Sequence, residues 1–218
     1  MPEIKGKEGI DNVENTNAPF SEIKPKTDIT VDEAQEELSK PFKHSNIETI
    51  DGEKYRVDDN GNPYAKYNKE TKTYELLPNT KYTMNGYNYE TNEHGQLIKA
   101  TAEPLRKTDR DARKSINETL QDMNAEDEKG HIIGDQFDGT NDVGNLVAMD
   151  GALNKGKYKD MEMTLAKAVD AGYDVKMEVN LNYSDNNTKR PDAMTVTYSI
   201  NGLKFTKVFY NTPDGGAN

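Results

Sequence analysis

His131, Asn154 and Glu162 are the residues of this chain whose types and order could break a phosphodiester bond. At neutral pH that reaction needs a water stripped of a proton, and a cation to take up charge on the phosphoryl and leaving oxygens. Histidine suits the first task, because its unperturbed pKa of about 6.5 lets it accept a proton at working pH. Asparagine and glutamate carry the hard oxygen donors that magnesium prefers, and that ion keeps several waters, so one or two protein oxygens are enough. The chain holds three histidines. His94 falls in a turn signal and His44 in a linker, which leaves His131 for the chemistry.

The elements that must position these groups can be read from pattern. Gly130 permits a close backbone approach or a bulge just before His131, and Ile132-Ile133 fits a buried strand end. A polar loop follows, in which Asp135, Asp138 and Asp142 are expected to be solvated, while Asn141 and Asn145 could cap turns or serve the site. A helix is predicted from about Leu153 to Ala171, closed by Gly172 as a C′ glycine. Met161, Leu165, Ala168 and Val169 share one stripe of that helix with Asn154, Tyr158 and Glu162, so its first turns should face a cleft. Eight helical residues separate two Cα atoms by about 12 Å. In a continuous helix Asn154 and Glu162 cannot both touch one ion, and Asn154 is expected as the direct ligand with Glu162 holding a water of the ion.

With those residues in view, Glu128-Lys129-Gly130-His131 resembles the DRGH motif of the DNA/RNA non-specific endonucleases, and Asn154-x-Gly156-x-Tyr158-x-x-x-Glu162 resembles their metal-binding helix. The longer pattern GHIIGDQFxGxxDxxNLVxMDxxLNxGxYKxME is similar to the C-terminal nuclease domains of type VII-secreted polymorphic toxins. The resemblance implies an α+β, ββα-metal (His-Me finger) fold, with an antiparallel sheet and a metal-binding helix, preceded by a flexible N-terminal segment. It implies His131 as general base, Asn154 as ligand of magnesium or alternatively manganese, and Glu162 as the residue that orients the ion's water. Lys129 stands where the family often has arginine and is counted with the catalytic groups; Asn145 would brace the loop entering the helix. Ala166 departs from the basic residue that some members carry there. The resemblance further implies DNA as substrate, with RNA as the alternative, 5′-phosphate products, and a cognate immunity protein as partner. Export by the type VII route would rely on an N-terminal region outside this sequence, from the producer's cytoplasm to that of a target cell.

Composition sets bounds on these readings. A net charge of −11 argues against a protein that coats nucleic acid by bulk attraction. An enzyme needs only a local positive track, and two clusters offer one: Arg106, Lys107, Arg110, Arg113 and Lys114, then Lys155, Lys157 and Lys159. Arg106, Arg110, Arg113 and Lys155 are the candidate phosphate contacts. Tyr158 could stack on a base or sugar, against core packing as the plainer reading. With no cysteine there are no disulfides or thiolate metal sites. No apolar run reaches the roughly 18 residues of a membrane span, the first thirty residues lack the apolar stretch of a signal peptide, and no membrane partner is expected.

Residues 1–46 read as a largely flexible linker with one short helix at about 30–40, and 47–214 as the nuclease domain. Between Glu48 and Leu105 short β-prone runs alternate with turn pairs such as Asn85-Gly86, which suits a meander. Asp109 to about Met123 is a further helix candidate. After Gly172 an alternating strand is expected, then a polar loop with Lys189 and Arg190, then a hairpin through Asn201-Gly202. Two rivals remain at this level: a β-rich interaction module without enzymatic activity, in which His131 is a buried structural histidine, and a scavenging nuclease without a toxin role.

Overall fold

Runs rich in tyrosine and β-branched residues, cut by glycine- and asparagine-bearing turns, form the strands of this chain. The computed structural model describes residues 46–108, 116 and 118–215. At Asn85-Gly86 and Asn201-Gly202 both central turn residues take positive φ, 51° and 76° in the first and 49° and 86° in the second. Those angles match the right-handed twist of the flanking strands and close tight hairpins.

Strands β1 (Asn46–Ile50), β2 (Glu53–Val57), β3 (Pro63–Asn68) and β4 (Thr73–Leu76) pair in sequence order as a four-stranded antiparallel sheet. Strands β5 (Lys81–Met84), β6 (Tyr87–Thr91) and β7 (Leu97–Ala102) join β10 (Val175–Asn182), β11 (Ala193–Ile200) and β12 (Leu203–Tyr210) in a six-stranded sheet. Its order is β12-β11-β10-β7-β6-β5, so β7 and β10 are neighbours although the chain between them is long. Val179 pairs with Ala100 and Met177 with Ala102 across that seam. Between β7 and β10 lie a two-stranded ribbon, β8 (Asp127–His131) with β9 (Leu146–Asp150), and helices α1 (Gly151–Leu153) and α2 (Lys159–Asp170). Two strands followed by a helix, inserted mid-sheet, are the ββα unit that the sequence implies.

One face of the six-stranded sheet is apolar because the alternation is strict. Val175, Met177, Val179 and Leu181 from β10 and Met194, Val196, Tyr198 and Ile200 from β11 are buried. They share a core with Met161, Leu165 and Ala168 of α2. Burying side chains of this size stabilises by roughly 1.5–3 kcal/mol each. Lys176, Glu178 and Asn180 alternate onto the polar face. α2 ends as expected: Gly172 at φ +79° lets Tyr173 N–H reach Ala168 O (3.0 Å) and Gly172 N–H reach Val169 O (2.9 Å).

Three expectations are corrected. The helix predicted from Asp109 to Met123 is not present in its second half: 109–115 and 117 lie outside the described residues, while Ile116 and Glu118–Met123 are non-helical and Asp122 turns at φ 58°. The helix starting near Leu153 is not continuous: Asn154–Tyr158 form a wide π-type turn, and Gly156 (φ −103°, ψ −111°) leaves the helical range. Such turns recur at functional sites because they re-aim the residues around them. Asp138 and Asp142 are buried, at 3% and 5% exposure, not solvated. The expected linker helix at 30–40 lies outside the described residues.

Candidate active site

The β8–β9 ribbon runs in unbroken register from Asp127 opposite Asp150 to His131 opposite Leu146. Gly130 therefore serves a close approach and not a bulge: a Cβ there would sit 2.6 Å from Met149 Cβ and 2.8 Å from its Cε. β9 is buried at all five positions and forms a rigid floor. His131 ends β8 with 7% of its surface exposed. Its Nε2 lies 2.6 Å from Asn141 Oδ1. An amide oxygen only accepts, so Nε2 carries the proton and the basic lone pair belongs to Nδ1.

Asn145 ties the intervening loop together through its side-chain amide. Fully buried, it accepts from Ile133 N–H (2.9 Å) and Tyr89 OH (3.2 Å) and donates to the carbonyls of Ile133 (2.9 Å) and Thr140 (3.1 Å). All four bonding positions of the amide are in use, which fixes the chain just after His131 to the chain just before β9.

At the helix start Asp150 accepts from Ala152 N–H (2.9 Å) and Leu153 N–H (3.3 Å), capping the first turn. Asn211, from beyond β12, accepts from Asp150 N–H (2.7 Å) and donates to Ala148 O (2.9 Å), clamping that corner. Asn154 follows within one turn. Its Nδ2 donates to Glu128 Oε2 (3.0 Å), which leaves Oδ1 as the atom it can offer to a cation. Lys155 pairs with the other Glu128 oxygen. Glu162 rests against Gly134, where an added Cβ would stand 2.4 Å from Oε1. Only a glycine at 134 admits that carboxylate beside the end of β8.

His131, Asn154 and Glu162 thus line one cleft of about 350 Å³ with Glu128, Lys155 and Lys159. The wide turn at 154–158 matters here, since the separation expected for a regular helix does not apply across it. The donors suit a hard divalent cation: the Asn154 amide oxygen and the carboxylates of Glu128, Asp135 and Glu162 line a space large enough for the ion's own waters. Among the described residues no group of three or more His, Cys, Asp or Glu encloses an ion.

The substrate contacts expected from sequence divide sharply. Lys155 lines the cleft. Tyr158 does not serve as a platform: it is 1% exposed, donates to Ile132 O (2.8 Å) and packs edge-on to Phe209 at 5.2 Å. Burial, then the charge of Glu162, pushes its phenol well above the ordinary value, so it remains a donor. Arg106 donates to Asn85 O (2.9 Å), sits 5.4 Å from the Tyr87 ring centroid, and is not among the residues that line the cleft. Lys129, expected among the catalytic groups, places its Nζ 3.4 Å from Ile116 O, outside the residues that line the cleft. Lys107 pairs with Asp170 at 2.5 Å, and Ala166 is in the core. Arg110, Arg113 and Lys114 lie outside the described residues. Sequence reasoning left Asn141 open and gave no role to Glu128 or Gly134. For Glu128 the signal was its place at the acidic position of the motif.

The ribbon is tied to the sheet by a buried pair. Arg190 Nε and a terminal nitrogen meet the two Asp127 oxygens at 2.7 and 2.8 Å, with the Asp127 side chain 1% exposed. Burial works to raise the Asp127 carboxyl, but Arg190 and the Asn124 N–H outweigh it and hold the group below its ordinary value.

Two paired strands followed by a helix, with a histidine at the strand end, are the arrangement of the ββα-metal fold. The chain belongs to the DNA/RNA non-specific endonuclease family, whose model matches residues 78–202. It is similar to the type VII secretion system protein EssD of Staphylococcus aureus strains USA300 and NCTC 8325, 27% identical over 187 residues that make up 82% of this chain. The chain spans about 30% of the length of these relatives. Among solved structures it is similar to NucA from Streptococcus agalactiae. The metal-free form gives a TM-score of 0.47 at 18% identity over 84% of this chain and 90% of that one. The form with magnesium ion bound gives 0.49 at 16% over 84% and 91%.

Proposed function

We propose that this chain is a magnesium-dependent, sequence-nonspecific endonuclease that hydrolyses DNA and acts as a secreted antibacterial toxin. The observation that carries the catalytic part is the cleft shared by His131, Asn154 and Glu162, with His131 Nε2 2.6 Å from Asn141 Oδ1, a contact that suits a proton on Nε2. His131 Nδ1 takes the proton of a water attacking phosphorus in line with the 3′-oxygen, leaving a 5′-phosphate product. Asn154 Oδ1 would hold the divalent cation directly, with Glu162 acting through water and Glu128 steadying Asn154. When bound, the cation neutralises charge growing on the phosphoryl and leaving oxygens. Lys155 and Lys159 draw the phosphate backbone into the cleft, and Arg110 and Arg113 are proposed as further contacts along the strand.

Lack of base selectivity follows from the lining. Met163 is the one apolar side chain among the residues lining the cleft, and Lys155 and Lys159 are its cations for phosphate, a contact that carries no sequence information. The toxin role is supported by the likeness to EssD over most of this chain. It brings two expectations, an immunity protein that blocks the cleft in the producer and export through sequence beyond this chain. The test is conversion of supercoiled plasmid to open-circular and linear forms by the purified chain, dependent on magnesium and stopped by a chelator. Growth arrest on cytoplasmic expression, relieved by the product of a neighbouring reading frame, tests the toxin role. Cleavage without arrest would point to a scavenging nuclease, and no cleavage to an interaction module.

A further inference from the structure

Three tyrosines from three strands stack as a ladder beneath the loop that carries Asn141. Tyr64 of β3 lies 4.6 Å from Tyr82 of β5 at 16° between planes, and Tyr82 lies 5.3 Å from Tyr89 of β6 at 8°. All three are buried, at 0%, 2% and 2% exposure. Their hydroxyls reach three nearby positions of that loop: Asp142 Oδ1 (3.1 Å) from Tyr64, Gly144 O (2.8 Å) from Tyr82, and Asn145 Oδ1 (3.2 Å) from Tyr89. The Asp142 oxygen that receives Tyr64 also receives Gly144 N–H (2.9 Å), and Asp142 O receives the N–H of Asn145 and Leu146, each at 3.1 Å. Asp142 is thus the knot of the loop, and its preceding residue is the one that sets the His131 proton.

Tyr64 belongs to the four-stranded sheet, and that sheet lies before residue 78, where the family match begins. A sheet outside the matched domain therefore contributes one of the three hydroxyls that fasten the loop. We infer that the β1–β4 sheet is a positioning element for catalysis: through Tyr64 and Asp142 it fixes Asn141 and so the tautomer and orientation of His131. A base must be held close to its productive geometry, and a displacement of order 1 Å is enough to slow the reaction severely. The stacked rings supply stiffness, since each is confined on both faces or by the buried core, and a phenol has few torsions to lose. Burial raises the Tyr82 and Tyr89 phenols well above their ordinary values, helped at Tyr82 by the charge of Asp142 and at Tyr89 first by the neighbouring Tyr82, so these two stay donors across the working range.

The inference rests on His131 as the base, and its test separates the two. Tyr64→Phe removes one hydroxyl and keeps the ring in its stack. The expected result is a kcat on duplex DNA lowered about tenfold, with KM within about twofold. Nitrogen-15 shifts of the His131 ring should move from the pure Nε2–H tautomer toward a mixture. Asp142→Asn, which keeps an acceptor oxygen for Tyr64 and Gly144, should retain most of kcat. Tyr55→Phe in the same sheet should match wild type in both readouts. An unchanged tautomer in Tyr64→Phe overturns the inference whatever happens to kcat, as does an equal loss in Tyr55→Phe. A shifted tautomer at full kcat supports the positioning and overturns His131 as the base.

Discussion

His131 Nε2 lies 2.6 Å from Asn141 Oδ1, a contact that favours the proton on Nε2 and the basic lone pair on Nδ1. Asn141→Ala should lower kcat about 10- to 100-fold, in the range typical of residues that orient a site group. Asn141→Asp keeps an acceptor on Nε2–H and should retain clearly more activity than the alanine variant. Steady-state cleavage of a duplex at saturating magnesium would show it; equal loss in both variants would remove the tautomer argument.

Glu128 holds the Asn154 amide by its Nδ2, so it governs where Oδ1 points. Glu128→Ala should raise the magnesium concentration for half-maximal activity about 10- to 100-fold while saturated kcat stays near wild type. Titration of activity against the ion separates this from a lost base, which no amount of cation restores.

Gly134 leaves room for Glu162 where a methyl group would stand 2.4 Å from Oε1. Because the obstructing atom ends a flexible side chain, Gly134→Ala should unfold nothing and instead push the carboxylate aside. Activity should fall about tenfold, as expected for a misplaced site group, with a thermal midpoint close to wild type. A large drop in that midpoint would show that Gly134 serves the fold.

The Asp127–Arg190 pair gives a prediction with a sign. Removing Arg190 from this part-buried pair strips the Asp127 carboxylate of its charged hydrogen bonds, so Arg190→Met should destabilise by about 1.5–3 kcal/mol near neutral pH. The Asp127 carboxyl is held below its ordinary value. Its contribution is therefore complete above the unfolded-state pKa of about 3.9 and is lost as pH falls through the lower folded-state value. Urea unfolding of wild type and variant should differ most near pH 7, and the gap should narrow below about pH 4. A gap that widens in acid would mean that another group dominates.

Local order was the most legible part of the fold. The hairpin at Asn201-Gly202, the alternation of β10 and the glycine stop of α2 each follow from a few neighbouring residues, and each stands where expected. β9 was not seen, because four consecutive apolar residues, Leu146 to Met149, have no period to distinguish a buried strand from any other buried segment. Asp138 and Asp142 were expected in solvent because an aspartate-rich loop usually is. Their burial depends on partners 53 and 78 residues away, Asn85 donating to Asp138 O and Tyr64 to Asp142. The site divides in the same way. His131, Asn154 and Glu162 were readable as types in order, and the structure brings them to one cleft. What holds them was not readable, since Asn141, Glu128 and Gly134 acquire their roles only when the ribbon folds against the helix. Tyr158 shows the converse: its place on the helix stripe was right, and burial turned it from a candidate platform into a core residue.

The central claim is that His131 deprotonates the attacking water beside a cation held at Asn154. The most direct measurement compares wild type with His131→Ala on one DNA duplex at saturating magnesium, with ion binding followed by calorimetry on both. Cleavage by the variant should be lowered about 10²- to 10⁴-fold, the range for loss of a general base, with magnesium affinity unchanged. Comparable cleavage by the two proteins, or wild-type cleavage that persists in chelator, would contradict it.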